Sequence, residues 1–109
     1  MDSGCAREQR KPAFLYFTAD WCIPCREMKA RTWSDERVIA ETQRFVPIEV
    51  DITNRQDPLV RRISKKYGVF GPPVIIFVDA TGEPLGDERP RIEGFIGADD
   101  FLHRLKAIQ

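Results

Sequence analysis

The chain has 109 residues, of which 42% are apolar and 31% are charged, and this is typical of one soluble globular domain. Its 17 basic and 17 acidic residues cancel, so no broad positive field favours nucleic acid or an anionic membrane surface. No apolar run approaches the roughly 20 residues that span a bilayer, and none resembles the core of a signal peptide. Three cysteines allow one disulfide and a leftover thiol, which excludes a disulfide scaffold.

The first stretch, residues 1–12, is polar and aperiodic, and it predicts a lead-in or linker before one domain over residues 13–109. Cys5 lies in this stretch, which favours a stray thiol over a second site. Residues 13–19, AFLYFTA, form a short continuous apolar run. Such a run predicts a strand that is buried on both faces.

Residues 22–44 favour helix, but Thr32, Ser34 and Asp35 interrupt them and predict a kinked or broken helix. Ser34 is predicted to cap the second helical segment, because a serine oxygen accepts an unpaired N–H group of a helix's first turn. FVPIEVDI at residues 45–52 then predicts a second strand, with its proline near the start.

Residues 57–68, DPLVRRISKKYG, predict a helix with a proline just inside its start and Gly68 just past its end. PVIIFVD at residues 73–79 is the strongest strand signal in the chain. Residues 79–85, DATGEPL, predict a turn, and RIEGFIG at residues 91–97 predicts a shorter strand that pairs back.

The last segment, residues 98–108, places its apolar residues at helical spacing behind two possible caps, Asp99 and Asp100. The predicted order is strand, helix, strand, helix, strand, strand, helix. A right-handed βαβ unit followed by a hairpin gives that order. The fold class is therefore predicted to be α/β, with a mixed four-stranded sheet flanked by helices.

The stretch WCIPC places Cys22 where the first strand ends and the first helix begins. Unpaired N–H groups and the helix dipole favour a thiolate at that position. Cys25 follows one turn along, close enough for a disulfide, and Pro24 lies in the first turn, where its missing N–H costs nothing. A C-x-x-C pair near a βαβ pattern indicates redox chemistry. Cys22 is expected to be exposed and nucleophilic, with Cys25 more sheltered.

Two other interpretations of the cysteine pair remain. A structural zinc site needs four ligands, but beyond the pair only Cys5 and His103 are obvious candidates, near opposite ends of the chain. The pair could instead be inert buried thiols, because free cysteine packs well in cores. The position between a strand and a helix favours the redox interpretation.

Four stretches of the chain together form a pattern that is more specific than the cysteine pair alone, namely KPAFLYFTADWCIPC, TWSDERV, GVFGPPVIIFVDATG and RIEGFIG. On these stretches, from about Lys11 to Leu105, the chain resembles the thioredoxin superfamily, and it is most similar to the C-terminal periplasmic domains of the DsbD family of thiol:disulfide interchange proteins. This resemblance implies a thioredoxin-like fold and a protein-disulfide reductase that needs no cofactor and no metal, because the electrons travel on the cysteines.

The resemblance also implies roles at the site. Trp21 would flank the pair, Cys22 would attack, and Cys25 would resolve the mixed disulfide. Pro73 would face the pair through a cis peptide bond. The residue before that proline commonly binds the substrate strand through its backbone, and here it is Pro72, which has no N–H to donate.

Two positions depart from the family's pattern. Ordinary thioredoxins have a buried aspartate six residues before the first cysteine, where this chain has Tyr16. DsbD-type domains tend to have an acid four residues after the second cysteine, where this chain has Lys29. A packed aromatic and a solvated lysine are the simplest interpretations of these two residues. Asp20 either tunes the site or is an exposed loop carboxylate.

The function predicted from these residues is a dithiol–disulfide oxidoreductase that acts on protein thiols and disulfides. The resemblance implies a periplasmic, monomeric domain of an inner-membrane protein, with a membrane-embedded cysteine pair and an immunoglobulin-like domain as partners. The alternatives are a free-standing thioredoxin-like or cytochrome-c-maturation reductase, including a cytoplasmic one. From a different class, a non-catalytic binding module would use the same groove without turnover.

Overall fold

The computed structural model describes residues 12–79 and 91–108, and these residues form four strands and four helices. The predicted lead-in, Cys5 and the turn after Asp79 lie outside the described residues. The strands are β1 (Ala13–Thr18), β2 (Val46–Asp51), β3 (Val74–Val78) and β4 (Arg91–Glu93). The helices are α1 (Ile23–Arg31), α2 (Glu36–Thr42), α3 (Pro58–Tyr67) and α4 (Ala98–Lys106).

The sheet has the strand order β2-β1-β3-β4. β1 pairs with β2 in parallel and with β3 antiparallel, and β3 pairs antiparallel with β4. In the parallel pair Tyr16 lies opposite Glu49, and Thr18 lies opposite Asp51. This confirms the predicted mixed sheet of four strands. It also brings the segments that follow β1 and β2 to the same edge, because parallel neighbours end on the same side.

Apolar side chains cover both faces of the sheet, so the described residues form a three-layer α/β sandwich. On one face Leu15 and Phe17 of β1 pack with the partly buried Val60 and Ile63 of α3. On the other face Phe14 belongs to a second cluster that includes side chains of α1, α2 and α4. Alternation along β1 explains this division, because successive side chains of a strand point to opposite faces. The predicted burial of β1 on both faces is confirmed.

The predicted break between two helices is present, but the cap of the second one is Asp35 and not Ser34. The Asp35 carboxylate accepts from the N–H groups of Arg37, at 2.8 Å, and Val38, at 3.4 Å. The Ser34 hydroxyl instead donates to the Ala30 carbonyl at 2.7 Å, at the end of α1. Ser34 therefore completes the first helix, and its neighbour begins the second.

The predicted caps of α4 are also wrong. The N-cap residue is Gly97, which has no side chain to accept from the N–H groups of the first turn. Asp99 and Asp100 lie inside the first turn, where a carboxylate is favoured by the helix dipole. Asp99 also accepts from the Arg37 guanidinium at 2.7 Å, which links α4 to α2.

Among the described residues, no helix combines the length and apolar character needed to cross a membrane.

Candidate functional site

Cys22 is the N-cap residue of α1, directly after the loop that leaves β1. Its Sγ accepts from the Cys25 N–H at 3.2 Å, as a serine or aspartate oxygen would at this position. An N–H donor and the positive end of the helix dipole both favour a negative charge on sulfur. The first turn of α1 has no acidic residue that would oppose this effect.

Cys22 and Cys25 form a disulfide across this first turn, with their Cα atoms 5.3 Å apart. That separation lies inside the range of ordinary disulfides, so the pair can close without moving the helix. Pro24 lies in the first turn, as the sequence predicts, and its missing N–H leaves no intrahelical hydrogen bond unmade. The local sequence thus produces a dithiol that can open and close on a fixed helix end.

Cys25 is sheltered as expected, at 4% exposed, but the expectation that Cys22 is exposed is wrong for this oxidised form, because Cys22 is also only 4% exposed. The physical reason is the loop before β3, whose Pro72 carbonyl oxygen lies 3.4 Å from Cys22 Sγ. A disulfide sulfur has no hydrogen to donate to that oxygen, but a thiol would have one. The Cys25 N–H therefore favours the Cys22 thiolate, while the Pro72 carbonyl favours the thiol.

The peptide bond between Pro72 and Pro73 is cis, as the resemblance implies. The Pro73 side chain is fully buried, and its carbonyl accepts from the Gly94 N–H at 2.9 Å. This bond fixes the residue before the start of β3 against the residue that follows β4. The loop is thereby anchored on one side, while the Pro72 carbonyl contacts the sulfur on the other.

Trp21 is 43% exposed beside the pair and is held by two residues that follow β2. Its indole Nε1 donates to the Thr53 carbonyl at 2.9 Å, and the Arg55 guanidinium lies 4.4 Å above its ring centre. Sequence analysis missed both Thr53 and Arg55. The pairing of β1 with β2 is the signal that locates them, because loops after adjacent parallel strands meet at one edge.

The Thr53 hydroxyl joins two carboxylate-bearing positions. It donates to Asp51 Oδ1 at 2.5 Å and accepts from the Asp20 N–H at 2.9 Å. The pKa of Asp51 lies below its ordinary value. The larger cause is the hydrogen bond from the Thr53 hydroxyl, and the next is the bond from the Thr53 N–H at 2.9 Å. The Asp20 carbonyl accepts from Arg26 at 2.9 and 3.2 Å, and Asp20 itself is exposed. The loop that carries Trp21 is thus tied on both sides.

Tyr16 and Lys29, the two departures from the family's pattern, line the same cavity as Cys25. The cavity has a volume of about 510 Å³. The Tyr16 ring is half-buried and packs against Trp33, with ring centres 4.8 Å apart. Lys29 is exposed on α1, and Glu49 of β2 also lines the cavity. Sequence analysis predicted neither the cavity nor the place of Glu49 in it.

The profile of the thioredoxin-like domain family matches residues 4–109. The chain is 32% identical to the C-terminal domain of DsbD from Neisseria meningitidis, whose oxidised crystal structure it matches with a TM-score of 0.78. That match covers 99% of this chain and 90% of the other. The chain belongs to the thioredoxin-like family.

Within this family the chain is 40% identical, over 88% of its length, to the thiol:disulfide interchange protein DsbD of Campylobacter jejuni. It spans only 16% of the length of that relative. It is also similar to a thioredoxin from Thermus thermophilus, with 26% identity, a TM-score of 0.79 and coverage of 96% of this chain and 78% of the other. With its Cys22–Cys25 pair, this thioredoxin-like chain is a thiol–disulfide oxidoreductase.

The family site gathers most of the residues that the sequence singled out. The Pro72 carbonyl contacts Cys22 and Trp21 stands beside it, while three others surround the cavity next to Cys25, namely Tyr16, Asp20 and Lys29. His103, the remaining candidate zinc ligand within the described residues, is an exposed residue of α4. Within residues 12–79 and 91–108, no group of three or more His, Cys, Asp or Glu residues could hold a metal ion.

Proposed function

We propose that this chain is the C-terminal domain of a DsbD-type reductant conductor and passes two electrons at a time from its cysteine pair to protein disulfides. The observation that carries the proposal is the Cys22–Cys25 disulfide at the start of α1, opposite the cis Pro72–Pro73 peptide. The Cα atoms of the pair are 5.3 Å apart, inside the range that a disulfide spans. The electrons reside on the two sulfurs, and the reaction needs neither a cofactor nor a metal.

The chemistry is two successive thiol–disulfide exchanges. The reduced Cys22 thiolate attacks one sulfur of the partner's disulfide, and the other partner sulfur leaves and takes up a proton. Cys25 then loses its proton and attacks Cys22 Sγ, which breaks the mixed disulfide and releases the second partner thiol. Two electrons and two protons leave the dithiol, and the Cys22–Cys25 bond forms.

The apolar surface around Cys22 suits a protein partner better than a small charged substrate. Ile23 is 65% exposed directly after Cys22, and Phe70 is 90% exposed two residues before Pro72. Trp21, 43% exposed, and Ile23 flank Cys22 in the chain. Phe70 lies in the same loop as Pro72, whose carbonyl contacts Cys22. Exposed apolar side chains that cluster at a reactive group are typical of a protein-binding surface.

By resemblance, the partners are a membrane-embedded cysteine pair, which would supply the electrons, and an immunoglobulin-like domain, which would receive them. We further propose, from the same resemblance, that this domain acts as a monomer in the periplasm as part of an inner-membrane protein. A free-standing thioredoxin-like reductase is the second candidate. The observation in its support is the match to the Thermus thermophilus thioredoxin.

The deciding experiment compares two acceptors. Reduced protein is mixed with the oxidised immunoglobulin-like domain of a DsbD relative and, separately, with oxidised insulin, and the thiols of each protein are followed separately over time by alkylation and mass spectrometry. The DsbD proposal predicts transfer of two electrons per chain, at least tenfold faster to the immunoglobulin-like domain. Equal rates would favour the free-standing reductase, and transfer to neither acceptor would contradict the oxidoreductase itself.

A further inference from the structure

The cavity next to Cys25 contains an unusual arrangement of charged groups. Its lining includes six residues with titratable or charged side chains, namely Tyr16, Asp20, Arg26, Lys29, Glu49 and Asp51. They come from β1, the following loop, α1 and β2. Cys22 is not among the lining residues, so these groups face the second cysteine of the pair and not the first.

Lys29 is the cation best placed to act on Cys25. The two residues are four positions apart on α1, and such residues are neighbours on a helix surface, about 5–6 Å apart at Cβ. The Lys29 ammonium has no hydrogen-bond or ion-pair partner among the described residues. The other cation of the cavity, Arg26, is already bonded to the Asp20 carbonyl through two of its nitrogens.

The carboxylates of the cavity are less well placed to take a proton from Cys25. Asp51 accepts two hydrogen bonds from Thr53, which lower its pKa and make it a weaker base. Glu49 lies on β2, across the cavity from α1, as the register partner of Tyr16. Asp20 lies in the exposed loop, and Tyr16 has a phenol where a carboxylate would be the stronger base. The cavity thus offers Cys25 a nearby positive charge in place of a buried base.

We propose that Lys29 is a positioning residue for the resolving step, in which its ammonium favours the Cys25 thiolate that attacks Cys22 Sγ. This deepens the proposed function and rests on it. The Cys25 proton passes to cavity water, the new Cys22–Cys25 bond forms, and the partner leaves as a thiolate that is then protonated. A positive charge beside a thiol favours its ionised form.

The test uses 4,4′-dithiodipyridine, a neutral disulfide that releases a coloured thiopyridone at each exchange. In a Cys5→Ser background, which removes the third thiol, a first phase reports the attack of Cys22, and a second phase reports its resolution by Cys25. At neutral pH the second phase should slow about threefold in Lys29→Met and about tenfold in Lys29→Glu, while the first phase changes less than twofold. Lys29→Arg should restore the wild-type rate, and Arg31→Met, a matched loss of charge on α1, should have no effect.

The pH and salt dependence separates this role from a packing role. Loss of the ammonium should raise the pH midpoint of the second phase, so the rates of wild type and Lys29→Met should converge in alkali. The difference should also shrink in about 1 M salt, where charges are screened within about 3 Å. A slowing that is independent of pH and salt would contradict the proposal.

Glu49→Gln supplies the opposing control. Removal of this carboxylate should leave the second phase unchanged or make it slightly faster, because a negative charge disfavours a thiolate. If Glu49→Gln slows resolution more than Lys29→Met does, a carboxylate takes the proton and the Lys29 proposal is overturned. An absent first phase in wild type would contradict the proposed function, whereas a normal first phase with no effect at Lys29 contradicts only this inference.

Discussion

The two cysteines of the pair lie in different surroundings although they share one turn of helix. Cys22 is held by backbone, with the Cys25 N–H at 3.2 Å and the Pro72 carbonyl at 3.4 Å. Cys25 lies beside a cavity lined by side chains such as Lys29 and Glu49. The reactivity of Cys22 is therefore set by main-chain geometry, which substitutions barely alter. That of Cys25 is set by side chains, which can differ from one relative to the next.

The largest expected effect tests whether the two cysteines have different roles at all. Cys25→Ser should trap a mixed disulfide with a protein partner, because Cys22 can attack but nothing can release it. Cys22→Ser should trap almost none. Mass spectrometry of both variants after exposure to the same oxidised partner measures the trapped fraction. Equal trapping by the two variants would mean that the backbone contacts of Cys22 do not select the nucleophile.

The second prediction adds a charge only to the cavity that Cys25 lines, which we call the Cys25 side. Tyr16→Asp places a carboxylate in the cavity that Cys25 lines, so resolution at neutral pH should slow about tenfold. Alkylation of Cys22 should slow much less, and its wild-type pH midpoint should lie below the roughly 8.5 of a free cysteine. Tyr16→Phe is the matched neutral control. A larger effect on Cys22 than on Cys25 would show that the two surroundings are not separate.

The third prediction changes the backbone groups that contact Cys22, which we call the Cys22 side. Pro72 has a carbonyl and no N–H, so a partner strand that pairs there gains at most one main-chain hydrogen bond. Pro72→Ala restores the donor and should lengthen the lifetime of the non-covalent partner complex about fivefold, the equivalent of one hydrogen bond. Competition with unlabelled partner measures that lifetime for the non-covalent complex of the Cys22→Ser variant. An unchanged lifetime would mean that the partner does not pair along this loop.

The helix end at Cys22 could be predicted from sequence because it depends on neighbours along the chain, whereas the burial of Cys22 by the distant Pro72 loop could not. A strand followed at once by Cys22, Pro24 and Cys25 is enough to define a helix end with a sulfur at the cap. The predicted position of Gly68 after α3 is confirmed for the same reason, since its φ of 66° favours glycine. The fold follows from the alternation of buried strands and amphipathic helices.

The Cys25 side could not be predicted in the same way. Glu49 and Thr53 lie more than twenty residues from the pair, and their place depends on the register of β1 with β2. The predicted N-cap of α2 is wrong because two neighbouring residues compete for that role. Ser34 and Asp35 are both good N-cap residues, and the choice depends on which carbonyl the end of α1 leaves free. Hydrogen bonding in three dimensions decided each of these cases.

Thr53 bonds to Trp21, which is beside Cys22, and to Asp51, which lines the cavity next to Cys25. Replacing Thr53 should therefore cause a small loss of stability. Thr53→Val keeps the backbone bond to Trp21 but loses the hydroxyl bonds to Asp51 and to the Asp20 N–H. Water can reach these exposed groups, so the free energy of unfolding should fall by about 0.5–1 kcal/mol. Urea unfolding measures it. Thr42→Val, which removes an exposed hydroxyl bond at the end of α2, is the matched control.

Part of that loss should depend on pH. Thr53 lowers the pKa of Asp51 from its ordinary 3.8, first through the hydroxyl and then through the N–H. A carboxyl whose pKa is lower in the folded state stabilises the fold above its unfolded pKa, and this stabilisation disappears as pH falls through the folded pKa. The gap between wild type and Thr53→Val should therefore narrow below about pH 3.8. It should not close, because the Thr53 bond to the Asp20 N–H carries no charge. A gap that stays constant down to pH 2 would assign the whole effect to that neutral bond.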